Sequence, residues 1–111
     1  MPKIDLKPED WDEVCRILKT HAPDYTVWAF GSRVTGNAKP YSDLDLVILT
    51  EQPLSLSTMA IIQEAFDESN LPIRVDIVDW ASASDLFQQR IRKNKVVIQE
   101  TNKPNDKSEI A

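Results

Sequence analysis

Apolar residues recur along the chain with two spacings, one typical of amphipathic helices and the other of β-strands. Helical spacing predicts helices over residues 8–21, 55–68 and about 84–93. Short runs of β-branched, aromatic and aliphatic residues predict strands over residues 25–30, 44–50, 73–79 and 96–98. Serine residues suited to helix N-caps stand close to the start of the second and third helices.

The chain has 111 residues, which is the size of one domain. We assign residues 1–99 to this domain and predict that the polar residues 100–111 form a disordered tail. A domain of this size buries enough surface for one modest core but has little room for a deep substrate cleft. If the protein is an enzyme, we expect a partner chain to supply part of its site.

Composition excludes several classes of function. The net charge of −5 gives a field that does not attract nucleic acid, so direct nucleic-acid binding is not expected. The single cysteine can form neither an internal disulfide nor a cysteine zinc site. The sequence has no apolar run of membrane-spanning length and no signal-peptide core, so we expect a soluble cytoplasmic protein.

The segment after the first strand contains both glycines of the chain, Gly31 and Gly36. A strand that ends in Gly31-Ser32 and turns directly into a helix presents free backbone N–H groups, which attract anions such as phosphate. Arg33 adds a permanently charged donor. An ordinary strand–turn–helix junction without a ligand is the alternative. The segment matches neither the P-loop nor the dinucleotide-binding pattern.

Two carboxylates, Asp43 and Asp45, open the second strand. Residues two apart in a strand share a face, and carboxylates about 6 Å apart repel by roughly 2–3 kcal/mol at an effective dielectric constant of 20. The fold gains nothing from this pair unless cations neutralise it. Hard oxygen ligands on a rigid strand suit magnesium. A simple turn before the strand is the alternative interpretation.

A third carboxylate, Asp76, interrupts the apolar centre of the third strand. A charged group in such a run is unusual unless it is paired or bound to metal. Arg74, two residues away on the same face, offers a partner for Asp76, so ion pairing and metal binding both stay open. Asp79, at the strand end, is more typical of a turn acid.

The combination of Gly-Ser-Arg-x-x-Gly at residues 31–36 with Ser-Asp-Leu-Asp-Leu at residues 42–46 is specific. It resembles the polymerase-β-like nucleotidyltransferase superfamily, and more closely its stand-alone minimal nucleotidyltransferases, the MNT group. The resemblance covers residues 8 to about 99. It implies an α/β (α+β) fold, with a mixed β-sheet, helices packed against it, and the palm-like architecture of the nucleotidyltransferases.

The resemblance also implies an activity, in which a hydroxyl attacks the α-phosphate of a nucleoside triphosphate, most simply ATP, and pyrophosphate leaves. It implies that nucleotide is bound by Gly31, Ser32 and Arg33, although Arg33 could instead brace the loop. The catalytic residues, which would also bind two Mg²⁺ ions, would be Asp43, Asp45 and Asp76.

MNT proteins typically work with a helical HEPN-domain partner, often an RNase toxin. The resemblance therefore implies an antitoxin that transfers AMP to such a partner. A non-catalytic binding antitoxin or assembly subunit is the alternative, as is a small-molecule nucleotidyltransferase that works with a partner chain. The aminoglycoside nucleotidyltransferases carry an extra helical domain that this chain lacks.

Two further groups of residues stand out, one basic with two possible interpretations and one aromatic that we assign to the core. A basic cluster near the end of the third predicted helix is either a solvated helix end or a contact for an acidic partner or RNA. Its members are Arg90, Arg92, Lys93 and Lys95. The alternating aromatic residues of the first strand, Trp28 and Phe30, are predicted to lie in the core.

Overall fold

The computed structural model describes residues 4–101. Its helices are α1 (Pro8–His21), α2 (Ser32–Thr35), α3 (Leu56–Asp67) and α4 (Asp85–Lys93), and its strands are β1 (Val27–Phe30), β2 (Leu44–Ile48), β3 (Val75–Asp79) and β4 (Val96–Gln99). The hydroxyls of Ser55 and Ser84 cap α3 and α4 by accepting backbone N–H bonds. The predicted helices and strands are therefore confirmed, with the strands mostly shorter than expected.

The four strands form one mixed sheet in the order β3-β2-β1-β4. β2 runs parallel to β3, whereas β1 pairs antiparallel with both β2 and β4. The mixed sheet with packed helices confirms the predicted α/β (α+β) class. Because β2 is central, its residues have partners on both sides, and this register decides which side chains share a face.

The main core lies between the sheet and the helices α1 and α3, which contact each other. Helix α1 supplies Val14, Ile17 and Leu18, which are almost completely buried. Every second residue of β2 faces this core, beginning with Leu44. The alternation follows from the two-residue period of a strand, which sends neighbouring side chains to opposite faces.

Trp28 and Phe30 lie on the opposite face, so their prediction as core residues was wrong. Val27 and Ala29 are the β1 residues that face the helices, and both are fully buried. Apolar bulk alone did not reveal the strand phase, because all four residues of β1 are apolar. We call this second surface, which carries Trp28 and Phe30, the open face.

Helix α4 and the turn before it cover part of the open face. The Phe87 ring packs edge-on against Phe30, with ring centroids 5.5 Å apart. Trp80 meets Trp28 in the same way at 5.6 Å. Ile91 of α4 is buried. Paired aromatic rings of this geometry stabilise contacts beyond simple area burial.

The chain keeps its backbone contacts beyond the predicted domain boundary at residue 99. The backbone N–H of Thr101 donates to the hydroxyl of Thr26. The rest of the predicted tail, residues 102–111, lies outside the described residues. Within residues 4–101 no helix is long and apolar enough to cross a bilayer.

Leu46→Ala tests the core. Leu46 is fully buried at the centre of β2, whereas Leu56 at the start of α3 is 89% exposed. We expect Leu46→Ala to lower the free energy of unfolding by about 2–5 kcal/mol, because it removes buried methyl groups and leaves a cavity. Leu56→Ala is the matched control, with an expected change within about 0.5 kcal/mol. Urea denaturation measures both; equal effects would contradict the assigned core.

Candidate active site

At the junction between β1 and α2, the backbone of Gly31 lies against the carboxylate of Asp45. Gly31 has φ 83° and ψ −158°, a region that essentially only glycine adopts. A Cβ atom built on Gly31 would collide with Oδ2 of Asp45. The first motif and the second motif of the sequence therefore meet in space, with the Gly31 backbone lying on the Asp45 side chain.

Helix α2 begins immediately after Gly31. The Gly31 carbonyl accepts hydrogen bonds from the N–H groups of Val34 and Thr35. The first N–H groups of any helix have no acceptor within it, which leaves those of Ser32 and Arg33 directed away from the helix. Gly36 ends the helix in the left-handed conformation at φ 89°. The predicted strand–glycine–helix turn is therefore present, and phosphate binding by it stays a prediction.

Arg33 is buried, and its guanidinium donates hydrogen bonds within the protein. Its guanidinium donates to the backbone carbonyls of Asp5 (2.8 Å), Ser42 (3.0 Å), Pro40 (2.9 Å) and Lys39 (3.3 Å). Only 6% of the residue is exposed. Of the two roles considered for Arg33, the structure supports bracing of the loop that leads to Asp43. A direct contact with nucleotide stays a prediction, and the geometry gives it little room.

Asp45 and Asp76 are direct neighbours on the parallel strands β2 and β3. Asp43 lies just before β2. Burial, then the nearby charges of Asp76 and Asp43, raise the pKa of Asp45 to about 6. Asp76 and Asp43 thus both act electrostatically on Asp45, which lies between them in this group of acids.

Asp76 also pairs with Arg74, whose Nε lies 3.1 Å from Oδ1. The ion pair proposed for Asp76 is therefore present, and the same carboxylate also faces Asp45. Within residues 4–101 no three His, Cys, Asp or Glu side chains stand in an arrangement that could hold a metal ion. Metal binding by Asp43, Asp45 and Asp76 accordingly stays a prediction.

Asp79 belongs to the opposite face. It is 6% exposed, and its Oδ2 accepts the backbone N–H of Leu54 at 2.8 Å. This bond fixes the loop before α3 to the end of β3. Asp79 is therefore a structural acid, in agreement with the interpretation from sequence.

A cavity of about 470 Å³ adjoins Gly31. Phe30 and Gly31 line it from one side, and Phe87, Arg90 and Lys93 of α4 line it from the other. Sequence reasoning missed this cavity, although it had singled out the basic cluster. The missing information was that α4 packs on the same face as Asp45, which only the sheet register shows.

Residues 12–104 match the family described as Polymerase beta, Nucleotidyltransferase. The chain belongs to this family. The resemblance drawn from the Gly-Ser and Asp-x-Asp motifs is thereby confirmed, and so is the palm-like nucleotidyltransferase fold. The junction at Gly31 and the acids of β2 and β3 are the parts of this nucleotidyltransferase domain that bear on its chemistry.

The domain is similar to known proteins in sequence and in structure. It is 53% identical over 105 residues to a protein named probable protein adenylyltransferase MntA from Haemophilus influenzae, covering 95% of this chain and 92% of the relative. A toxin–antitoxin crystal structure with AMP-PNP shares 24% identity over 83% of this chain and 74% of the other, with a TM-score of 0.69.

A third relative is a tri-AMPylated HEPN toxin from Shewanella oneidensis in complex with MNT antitoxin. The match has 20% identity and a TM-score of 0.64, and it covers 90% of this chain and 77% of the other. At these identities the two solved structures establish the shared fold of the nucleotidyltransferase domain.

Gly31→Ala tests the close approach to Asp45. Gly36 is its matched control, because it also has a positive φ but has open space where a Cβ would stand. We expect Gly36→Ala to cost about 1–2 kcal/mol of stability from backbone strain alone. Gly31→Ala should cost clearly more, since its backbone region is nearly closed to alanine and the overlap with Asp45 adds to that strain. Thermal and urea unfolding compare the two; equal losses would contradict the contact.

Asp45→Asn tests the raised pKa of Asp45. A carboxyl whose pKa is higher in the folded than in the unfolded protein favours folding at low pH, and this contribution is lost as pH rises through about 6. In metal-free buffer Asp45→Asn should therefore raise the melting temperature more at pH 8 than at pH 5. The exposed loop acid Glu51 gives the control Glu51→Gln. A pH-independent effect of Asp45→Asn would refute the assignment.

Proposed function

We propose that the protein is a Mg²⁺-dependent nucleotidyltransferase that transfers AMP from ATP to a hydroxyl of a helical HEPN-type partner, and so acts as an antitoxin. The observation that carries this proposal is the contact between the Gly31 backbone and Asp45. It joins an anion-binding turn to a carboxylate, as a metal-bound nucleotide requires. The 53% identity to a probable protein adenylyltransferase supports the same activity.

The proposed reaction is a single displacement. The acceptor oxygen forms a bond to the α-phosphorus, the bond from that phosphorus to the oxygen bridging to the β-phosphate breaks, and pyrophosphate leaves. The hydroxyl proton passes to a base, for which we propose Asp76, because its carboxylate is 38% exposed beside Asp45. Gly31 and Ser32 would hold the triphosphate, which leaves positioning and charge neutralisation as the main work of the enzyme.

The acids of the site have the donor chemistry that a hard divalent cation prefers, with Asp45 next to Asp76 and electrostatically coupled to Asp43. Carboxylate oxygens are ligands that Mg²⁺ prefers, and the mutual repulsion that raises the pKa of Asp45 disappears when a cation neutralises it. Two Mg²⁺ ions would be held by Asp43, Asp45 and Asp76. When bound, they would neutralise the negative charge on the reacting phosphate oxygens. Binding to Asp45 competes with a proton, so Mg²⁺ affinity should fall as pH decreases through about 6.

The partner is proposed from size and similarity together. The domain has one modest core, and its open face carries the site at the surface rather than in a deep cleft. Two of the similar solved structures are toxin–antitoxin complexes, one of them with a tri-AMPylated HEPN toxin. We propose that a HEPN-type toxin completes the site and supplies the acceptor hydroxyl, in the cytoplasm where ATP and Mg²⁺ are abundant.

Transfer of label from α-labelled ATP to a co-expressed partner tests the function. We expect Asp43→Asn/Asp45→Asn to lower the transfer rate by roughly a hundredfold or more, because it removes the oxygens that hold the cations. The double variant Glu9→Gln/Asp12→Asn removes two exposed carboxylates of α1 on the other side of the sheet and should transfer at the wild-type rate.

Equal transfer by the wild type and Asp43→Asn/Asp45→Asn would show that the catalytic assignment is wrong. If the same variant transfers nothing and still neutralises the partner fully, the binding-only antitoxin is the correct alternative. Labelling of an aminoglycoside-like small molecule and not of any partner protein would instead favour small-molecule transfer.

A further inference from the structure

The basic cluster of α4 and the residues after it divides into two pairs. The Arg92 guanidinium lies over the Trp80 ring, 5.0 Å from its centroid, and Lys95 Nζ lies 4.8 Å from the Trp28 centroid. These two cations are already stabilised by aromatic faces. Arg90 and Lys93 are different, because they line the cavity beside Gly31.

Arg90 and Lys93 are three residues apart, so they project from neighbouring positions on α4. Both are exposed, and within residues 4–101 neither forms a salt bridge or side-chain hydrogen bond. The helix that carries them is anchored, since Ile91 is buried and Phe87 packs on Phe30. A fixed helix holds the two cations near one place and reduces the entropy lost when an anion binds.

The charged residues around Gly31 show that, within the described part of the chain, this side of the cavity lacks an available positive charge. Asp45 lies against Gly31, with Asp43 and Asp76 close to it. Arg33, the cation nearest in sequence, is buried and donates to backbone carbonyls, which gives it little room to contact a ligand. Protein cations for the outer phosphates of a triphosphate at Gly31 would therefore have to come from another element, and α4 places Arg90 and Lys93 in the same cavity.

We propose that Arg90 and Lys93 bind the β- and γ-phosphates of ATP, and thereby the departing pyrophosphate. This inference rests on the proposed nucleotidyl transfer, and it makes α4 a second wall of the nucleotide site, opposite Gly31. The cavity volume of about 470 Å³ is within the range of small-molecule sites. Arg90 offers a planar donor fork for phosphate oxygens, and Lys93 offers a compact point charge.

Calorimetric titration of the full chain with ATP, AMP and inorganic pyrophosphate, each with Mg²⁺, tests this assignment without any acceptor. Arg90→Gln/Lys93→Gln should weaken ATP and pyrophosphate binding by roughly tenfold or more, because charge-assisted hydrogen bonds to the terminal phosphates are lost. AMP binding should change by less than about twofold, since AMP lacks those phosphates. When Arg90→Lys replaces Arg90→Gln in this double variant, part of the lost affinity for ATP and pyrophosphate should be recovered.

Arg92→Gln/Lys95→Gln is the matched control, because it removes the same charge from the same region, and its ATP affinity should change by less than about twofold. If both double variants weaken ATP binding equally, the effect comes from the overall positive charge of the region and the inference is overturned. If AMP and ATP lose affinity equally, the two cations contact the nucleoside part and not the terminal phosphates, which also overturns it. Unchanged ATP affinity with lost partner binding also overturns it and assigns the pair to an acidic partner surface.

The wild type separates this inference from the proposed function. If the wild type binds ATP and Arg90→Gln/Lys93→Gln binds it equally, the phosphate assignment fails and the proposed transfer stands. If the wild type binds neither ATP nor pyrophosphate, alone or together with its partner, both fail.

Discussion

The contact between the Gly31 backbone and the Asp45 carboxylate is the constraint on which the site depends. It exists because β1 and β2 pair antiparallel with Phe30 opposite Asp45, which places the residue after β1 directly on the acid. Any side chain at position 31 would displace Asp45 or reopen the turn. The same contact excludes water from one side of Asp45, in keeping with burial as the largest cause of its raised pKa.

The sheet separates structure from chemistry by the two-residue period of its strands. One face of β2 and β3 packs on α1 and α3, and the carboxylate on that face, Asp79, holds a loop through one hydrogen bond. The other face carries Asp45 and Asp76, where proximity to a like charge is unfavourable for folding by itself. An arrangement that costs stability and lies at an open face is more readily explained by function than by folding.

Helix α4 gives the open face a second wall. Its aromatic contacts with β1 fix its position, and its cations supply a positive charge to a region otherwise dominated by three acids. The net charge of −5 therefore hides a local division, with carboxylates on the strands and, on the helix, Arg90 and Lys93, which form no salt bridge within residues 4–101. A ligand that is both metal-bound and anionic matches such a division, because its cation and its phosphates prefer opposite sides.

The sequence by itself determined the order of helices and strands and the Gly-Ser turn, because these depend on the spacing of residues close together in the chain. It also determined the two motifs and the family, because few other structures require those residue types at that spacing. Tertiary structure decided the phase of β1, since four apolar residues in succession give no alternation to read. It also decided that Arg33 braces a loop, that Asp76 faces both Arg74 and Asp45, and that Arg90 and Lys93 adjoin Gly31. These relations join residues far apart in the chain, and they follow from strand register and helix packing, which no local pattern encodes.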